Sequence, residues 1–326
     1  MKQLAERIKP YFQLLRIGNL LFIAILLYVM EKWVATPLLQ LAQFYEQMPW
    51  WVLTLLIMST ICIAAGGYII NDYFDVKIDR INHPEDLVVT RYISREGAMR
   101  LFQVLTILGV IMGLVVAWWA RSWTLVMIFI VIPGLLWFYS ASYKRQLVIG
   151  NIVVAFISAI VPLLVAIANA DYLCHLYQEN LVYSPIVGQL YVWTSGFSLF
   201  AFLITLAREM VKDIEDKEGD QEMECRTIPI VWGDKITKII VSIILIITAA
   251  LITYIAFYIL PFPHEWSTLS TRYVIFGIIT PIICSLILLW AAKTPQEIHR
   301  TQVVIKFTMF IGVMYSFVIQ QNLLML

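Results

Sequence analysis

The chain has 326 residues, of which 61% are hydrophobic and only 14% charged, against about 25% charged in an ordinary soluble domain. This composition points to an integral membrane protein, and a net charge of +1 offers no basic surface for nucleic acid. Four scattered cysteines, Cys62, Cys174, Cys225 and Cys284, form no CxxC pair, so neither a disulfide framework nor a zinc site is expected.

The opening, MKQLAERIKPYFQLLRIGNLLF, lacks a small-residue cleavage site, and the first apolar segment is expected to be retained. A bilayer core about 30 Å thick takes roughly 20 apolar residues per helix. In chain order, spans are expected over 14–30, 51–70, 101–120, 123–141, 149–169, 193–211, 237–260, 273–292 and 303–321. They make an all-α, polytopic bundle of nine transmembrane helices, read as a single membrane domain over residues 1–326. One side of such a bundle holds the N-terminus and segments 71–100, 142–148, 208–238 and 293–306, and it carries all of the 23 Lys and Arg except Lys32, Arg121 and Arg272. The positive-inside rule then places the N-terminus in the cytoplasm and the C-terminus outside. Segment 31–49 has an amphipathic look and is expected to lie along the outer membrane surface.

The second span ends in "NDYFDVKID", Asn71 to Asp79, and the sixth in "REMVKDIEDKEGD", Arg208 to Asp220. Both contain D-x-x-D-x-x-x-D, as Asp72, Asp75, Asp79 and as Asp213, Asp216, Asp220. At about 100° per residue, positions i, i+3 and i+7 share one helix face, so each triplet makes an acidic stripe. Both stripes fall at helix C-termini, where the dipole disfavours carboxylates by about 0.3–1 kcal/mol. A purely structural helix end would carry lysines there. Two facing stripes repel each other unless a cation joins them, and magnesium takes a few carboxylates plus substrate phosphates. A pair of Mg2+ ions clamping a diphosphate is the natural occupant, with Asp72, Asp75, Asp79, Asp213, Asp216 and Asp220 as ligands. The plain alternative is a solvated helix end trimmed with ion pairs such as Asp213–Lys217.

These residues resemble the UbiA superfamily of membrane prenyltransferases, which has nine transmembrane helices and two aspartate-rich motifs, NDxxDxxxD and a later DxxDxxxD or DxxxD. "LLRIGNLL" resembles the family's first helix, with Arg16 and Asn19 matching R-x-x-N. "YSASYKRQLVIGNIVVA" resembles the loop before the fifth helix, including Lys144, Gly150 and Asn151, and "RTIPIVWG" the segment after the second motif. The wording of the second motif is closest to the subgroup that makes digeranylgeranylglyceryl phosphate. One stretch departs. Where the family commonly reads K-P-E-R-P-I-P-S-G-R-I-S, this chain has Asp86 for the first arginine, Arg91 for the glycine and Tyr92 for the second arginine. A phosphate-facing arginine has either moved to Arg91 or been lost.

The resemblance implies magnesium-dependent transfer of a prenyl group from a prenyl diphosphate to a lipophilic acceptor drawn from the bilayer. The acceptor it favours is a geranylgeranylglyceryl phosphate-type lipid, and the alternative is an aromatic acceptor of quinone biosynthesis. It implies an active site at the cytoplasmic face, with Asn71 and the six aspartates carrying the chemistry. Arg16, Asn19, Lys144, Arg145, Arg208, Lys212, Tyr139 and Tyr143 are the candidate substrate contacts. His83 is a candidate base, whereas His175, His264 and His299 carry no signal. Other classes fit less well. A CDP-alcohol phosphotransferase needs D-G-x-x-A-R, which is absent. An ion transporter would hold its acids near the bilayer midplane. An intramembrane aspartyl protease needs its aspartates within the spans. A family member that binds prenyl diphosphates without turnover remains compatible with the altered segment 85–92.

Overall fold

The computed structural model describes residues 9–82, 84–85, 87–178, 181, 184–259 and 269–323. Among these residues the fold is all-α, and nine helices are long and apolar enough to cross a bilayer. They are α1 Ile17–Leu41, α2 Trp50–Asn82, α3 Arg95–Ala120, α4 Trp123–Ala141, α5 Ile149–Tyr177, α6 Ile186–Glu215, α7 Asp234–Tyr258, α8 Leu269–Ala291 and α9 Pro295–Leu323. Their order follows the expected spans, but several run further. The 33 residues of α2 reach about 50 Å at 1.5 Å per residue, well beyond the hydrocarbon. Residues 71–82 therefore continue the helix as a rigid projection instead of opening a loop. The 30 residues of α6 project in the same way.

Segment 31–41 corrects the sequence reading. It does not lie along the surface. The first helix continues through a π-helical turn, Met30–Ala35, into Thr36–Leu41, and Met30, Glu31, Val34, Ala35, Leu38 and Leu39 are buried. The reason is internal pairing of the acid. Glu31 accepts hydrogen bonds from Asn169 Nδ2 at 2.8 Å and Thr36 Oγ1 at 3.3 Å. A buried carboxyl satisfied by protein donors no longer forces the helix to stop at the membrane surface.

Association of helices in lipid depends on close backbone approach at small residues. Where α2 meets α3, Ser59 Oγ donates to the Gly109 carbonyl at 2.6 Å. A Cβ on Gly109 would stand 2.8 Å from Ile63 Cγ1 and 3.0 Å from the Ser59 carbonyl oxygen. Elsewhere α5 packs on α6, and α6 on α7 and α9. The arrangement leaves one cavity of about 910 Å3, walled by α1, α2, α4, α5, α6 and α9. Its far end is apolar, with Leu26, Phe129, Leu164 and Val313; its near end holds both acidic segments. Replacing Gly109 with Leu is expected to cost about 1–3 kcal/mol by forcing α2 and α3 apart, read as a lower melting temperature in detergent. Gly134→Leu is the control, because a Cβ there meets nothing within 4 Å.

Candidate active site

The first acidic stripe is where the helix period places it. Asn71, Asp72, Asp75 and Asp79 all line the cavity from α2. Each has charged or polar company. Arg16 donates from Nη2 to Asp72 Oδ1 at 2.9 Å, Asn71 Nδ2 to Asp75 Oδ2 at 2.7 Å, and Lys144 Nζ also donates to Asp75. Arg16 adopts left-handed backbone geometry, φ 50° and ψ 53°, as it opens α1, and that turn aims its guanidinium across to α2. Asp79 lies beside Asp75 in the same cavity wall.

The second triplet is not one continuous stripe. α6 ends at Glu215, Asp216 sits at the break (φ −85°, ψ 2°), and Asp220 rides on a separate short helix, Lys217–Glu222. The cause stands on α2. Asn82 Nδ2 donates to the Asp216 carbonyl at 2.9 Å, and the Gly219 N–H donates to Asn82 Oδ1 at 2.8 Å. One side-chain amide thus fills the gap in the helix ladder and ties both motifs together. A Cβ on Gly219 would lie 2.6 Å from Asn82 Oδ1, so this contact requires glycine. Asn151 Nδ2 donates to Asp213 Oδ2 at 2.8 Å, and Lys212 Nζ lies 3.8 Å from Asp216 Oδ2. Asp213, Asp216 and Asp220 surround a small hollow shared with Tyr139, Lys144, Lys212 and Glu209, next to the main cavity.

Electrostatics follow from this crowding. Burial pushes the Asp220 carboxyl up to about 6; Lys144 opposes that shift and Asp216 adds to it. Burial disfavours the charged form of Lys144, yet Asp75 outweighs it, and the ammonium is held well above its usual range. Arg16 is raised likewise, burial being overcome by Asp72, Tyr68, Asp79 and Asp75 together. Among the described residues no three His, Cys, Asp or Glu side chains already gather around one point. The donor set is nevertheless all oxygen, drawn from two facing segments, and paired off by lysine, arginine and asparagine. That fits a hard cation held by one or two carboxylates at a time and completed by substrate phosphates.

Most of the remaining predicted contacts also converge. Asn19, Arg208, Lys212 and Tyr139 line the main cavity with Arg16 and Lys144. Two do not. Arg145 is exposed and lines neither hollow; its carbonyl instead accepts the Arg226 N–H at 2.9 Å. Tyr143 stacks on Phe138 with ring centroids 6.3 Å apart, also outside the cavity wall. Arg91, the possible replacement arginine, is exposed over the Tyr92 ring at 5.3 Å and does not reach the cavity. His83 and Asp86 lie outside the described residues, as does His264. His299 does belong to the site: it lines the cavity and its Nδ1 is 3.1 Å from Glu215 Oε1, while Gln302 Nε2 donates to Glu215 Oε2. Sequence reasoning also missed Glu209, which is buried and receives a hydrogen bond from Arg208, along with Asn82 and Lys306. Only Glu209 had a signal available, an acid one turn before Asp213 on the same helix.

Removing the Asn82 amide with Asn82→Ala strands the Gly219 N–H, while the Asp216 carbonyl keeps the Asp220 N–H, and is expected to lower stability by about 1–3 kcal/mol, measured as a drop in melting temperature. Because a cation binds the carboxylate and not the acid, Mg2+ affinity should fall as pH is lowered through about 6, where Asp220 takes up its proton. Titration of Mg2+ binding at pH 5, 6 and 7 checks this, and Asp220→Asn should flatten the response.

A profile of the UbiA prenyltransferase family matches residues 16–316. Digeranylgeranylglyceryl phosphate synthase of Methanobrevibacter smithii is 31% identical over 245 residues, which is 74% of this chain and 76% of that protein. A solved structure of a digeranylgeranylglyceryl phosphate synthase in membranes shares the fold, with a TM-score of 0.61 at 22% identity, covering 98% of this chain and 100% of that one. A UbiA homologue from Archaeoglobus fulgidus, bound to DMAPP and Mg2+, gives 0.54 at 13% identity over 94% and 98% of the two chains. The family match thus runs from Arg16, which opens α1, to Ser316 near the end of α9, and the protein is a member of the UbiA prenyltransferase family.

Proposed function

We propose that the protein transfers a prenyl group from a prenyl diphosphate to a prenylated glyceryl phosphate lipid, with two Mg2+ ions held between its acidic segments. The observation that carries this reading is the cavity's polarity. Its near end carries Asp72, Asp75, Asp79 and Asp216 with their basic partners, Asp213 and Asp220 line the small hollow that adjoins it, and its far end is hydrocarbon. An amphiphile with an anionic head and a long chain matches both ends. The acceptor class is supported by the relative from M. smithii, named for digeranylgeranylglyceryl phosphate synthesis, and the metal by the DMAPP- and Mg2+-bound neighbour.

The six aspartates would hold the metal, which supplies charge to stabilise the diphosphate as it leaves. The rest is work for the chain. Arg16 and Lys144 already face carboxylates across the site, and Lys212 faces Asp216 one turn further along its own segment. They are placed to turn to phosphate oxygens when a diphosphate enters, and Arg16 can do so with two parallel hydrogen bonds. Asn71 and Asn151 orient Asp75 and Asp213. Phe22, Phe129 and Phe200 wall the cavity beyond the acids. They shield the allylic cation from water as its C–O bond breaks, so that the acceptor hydroxyl and not water forms the new bond. The acceptor oxygen loses its proton as the ether forms. We further infer one membrane domain over the whole chain. Its N-terminus is cytoplasmic, its C-terminus outside and its acidic end at the cytoplasmic face, supported by the one-sided distribution of Lys and Arg.

The test is transfer from labelled geranylgeranyl diphosphate in detergent, with geranylgeranylglyceryl phosphate, 4-hydroxybenzoate and 1,4-dihydroxy-2-naphthoate offered in parallel. Wild type should label the first in a magnesium-dependent manner, and Asp72→Asn or Asp216→Asn should lower kcat by about 10^2–10^3. Product on an aromatic acceptor alone would reassign the acceptor, and failure to bind the diphosphate would end the reading.

A further inference from the structure

Among the described residues, the cavity wall holds one cation that the acidic clamp does not account for. Lys306 stands eleven residues into α9, about 16 Å along the helix. A lysine on the wall of a cavity that is largely apolar is normally paired or functional. Among the described residues it forms no ion pair. The charged groups whose fields reach it are Arg208 and Arg16, both positive. Arg16 and Arg208 each hold a carboxylate, Asp72 and Glu209, and so are largely neutralised. Lys306 is not, and the Arg208 Nε is buried with no acceptor. Lys306 is exposed, so the cavity is open where it stands.

The surroundings indicate what would fill this place. Past Lys306, the cavity-lining face of α9 turns apolar with Met309 and Phe310, and α1 changes in the same sense from Arg16 to Phe22. The two helices offer a cationic level followed by hydrocarbon, which is the order of groups in a lipid anion. Mg2+ ions do not belong here, because the site is positive before anything binds.

We propose that Lys306, with Arg208, forms a second anion subsite that takes the phosphomonoester of the acceptor lipid, apart from the clamp for the donor diphosphate. This rests on the acceptor class proposed above and assigns it a place. A dianionic phosphate there gains a charge-assisted hydrogen bond from Lys306 and the field of the Arg208 guanidinium in the same wall. It also fixes the acceptor's hydroxyl end towards the acids while its chain follows Phe310 and Phe22. The lysine is a specificity-determining residue: a neutral acceptor has nothing to offer it.

The experiment compares wild type, Lys306→Gln and Lys306→Arg in full-length protein. The donor is geranylgeranyl diphosphate, and the acceptors are geranylgeranylglyceryl phosphate and the same lipid without its phosphate. Lys306→Gln should raise KM for the phosphorylated acceptor by about 10- to 100-fold. It should leave the donor KM and the weak use of the dephosphorylated lipid unchanged, and Lys306→Arg should restore most of the loss. Inorganic phosphate added to wild type gives a reading that needs no variant; it should compete with the acceptor. An unchanged acceptor KM in Lys306→Gln, a loss confined to the donor KM, or competition by phosphate against the donor alone would each overturn the subsite while leaving the transferase intact. Wild type that labels only aromatic acceptors would instead sink the acceptor class, and the subsite with it.

Discussion

Everything at the near end of the bundle depends on neutralising carboxylates packed against hydrocarbon. Six aspartates and Glu209 converge where α2 and α6 leave the apolar core, and like charges at such distances cannot share a partly buried site without counter-charge. The protein supplies it with Arg16 from the start of α1, Lys144 from the turn after α4, and Arg208 and Lys212 from α6 itself, and adds the neutral Asn151 amide from α5. These contacts tie α1 and the turn after α4 to α2, and α5 to α6, so the electrostatic requirement of the site also organises the fold around it. The same pairs are exchangeable. A metal and a diphosphate can take over both halves, the metal on the acids and the phosphates on the bases, without leaving a charge unpaired.

Much of this was readable in one dimension because it rests on period and composition. Span lengths, charge asymmetry and the i, i+3, i+7 spacing of Asp72, Asp75 and Asp79 are local properties, and α2 obeys them. The second triplet has the same spacing yet breaks at Asp216, because Asn82, 134 residues earlier, inserts its amide there. No local pattern carries that information. Arg145 shows the converse. Its place beside Lys144 at a helix end is equally suited to phosphate binding or to simple membrane anchoring, and only the fold separates the two: one side chain reaches Asp75, the other points away.

The residues of α9 were illegible for another reason. His299, Gln302 and Lys306 share a helix face, but a helix end offers many such sets, and nothing in their identities distinguishes a cavity wall from a solvated flank. Closure of the bundle places them on the cavity wall by bringing Glu215 of α6 and Arg16 of α1 within their reach.

The buried pairing of Glu31 bears on how the chain is made. Its partner Asn169 lies 138 residues further on, in α5. While the first helices are entering the bilayer, that amide has not yet been synthesised or inserted, and a lone carboxyl at that depth is poorly tolerated. The last turns of α1 therefore reach their final packing only once α5 stands beside them. The bundle closes on its first helix through a hydrogen bond to a residue made 138 positions later.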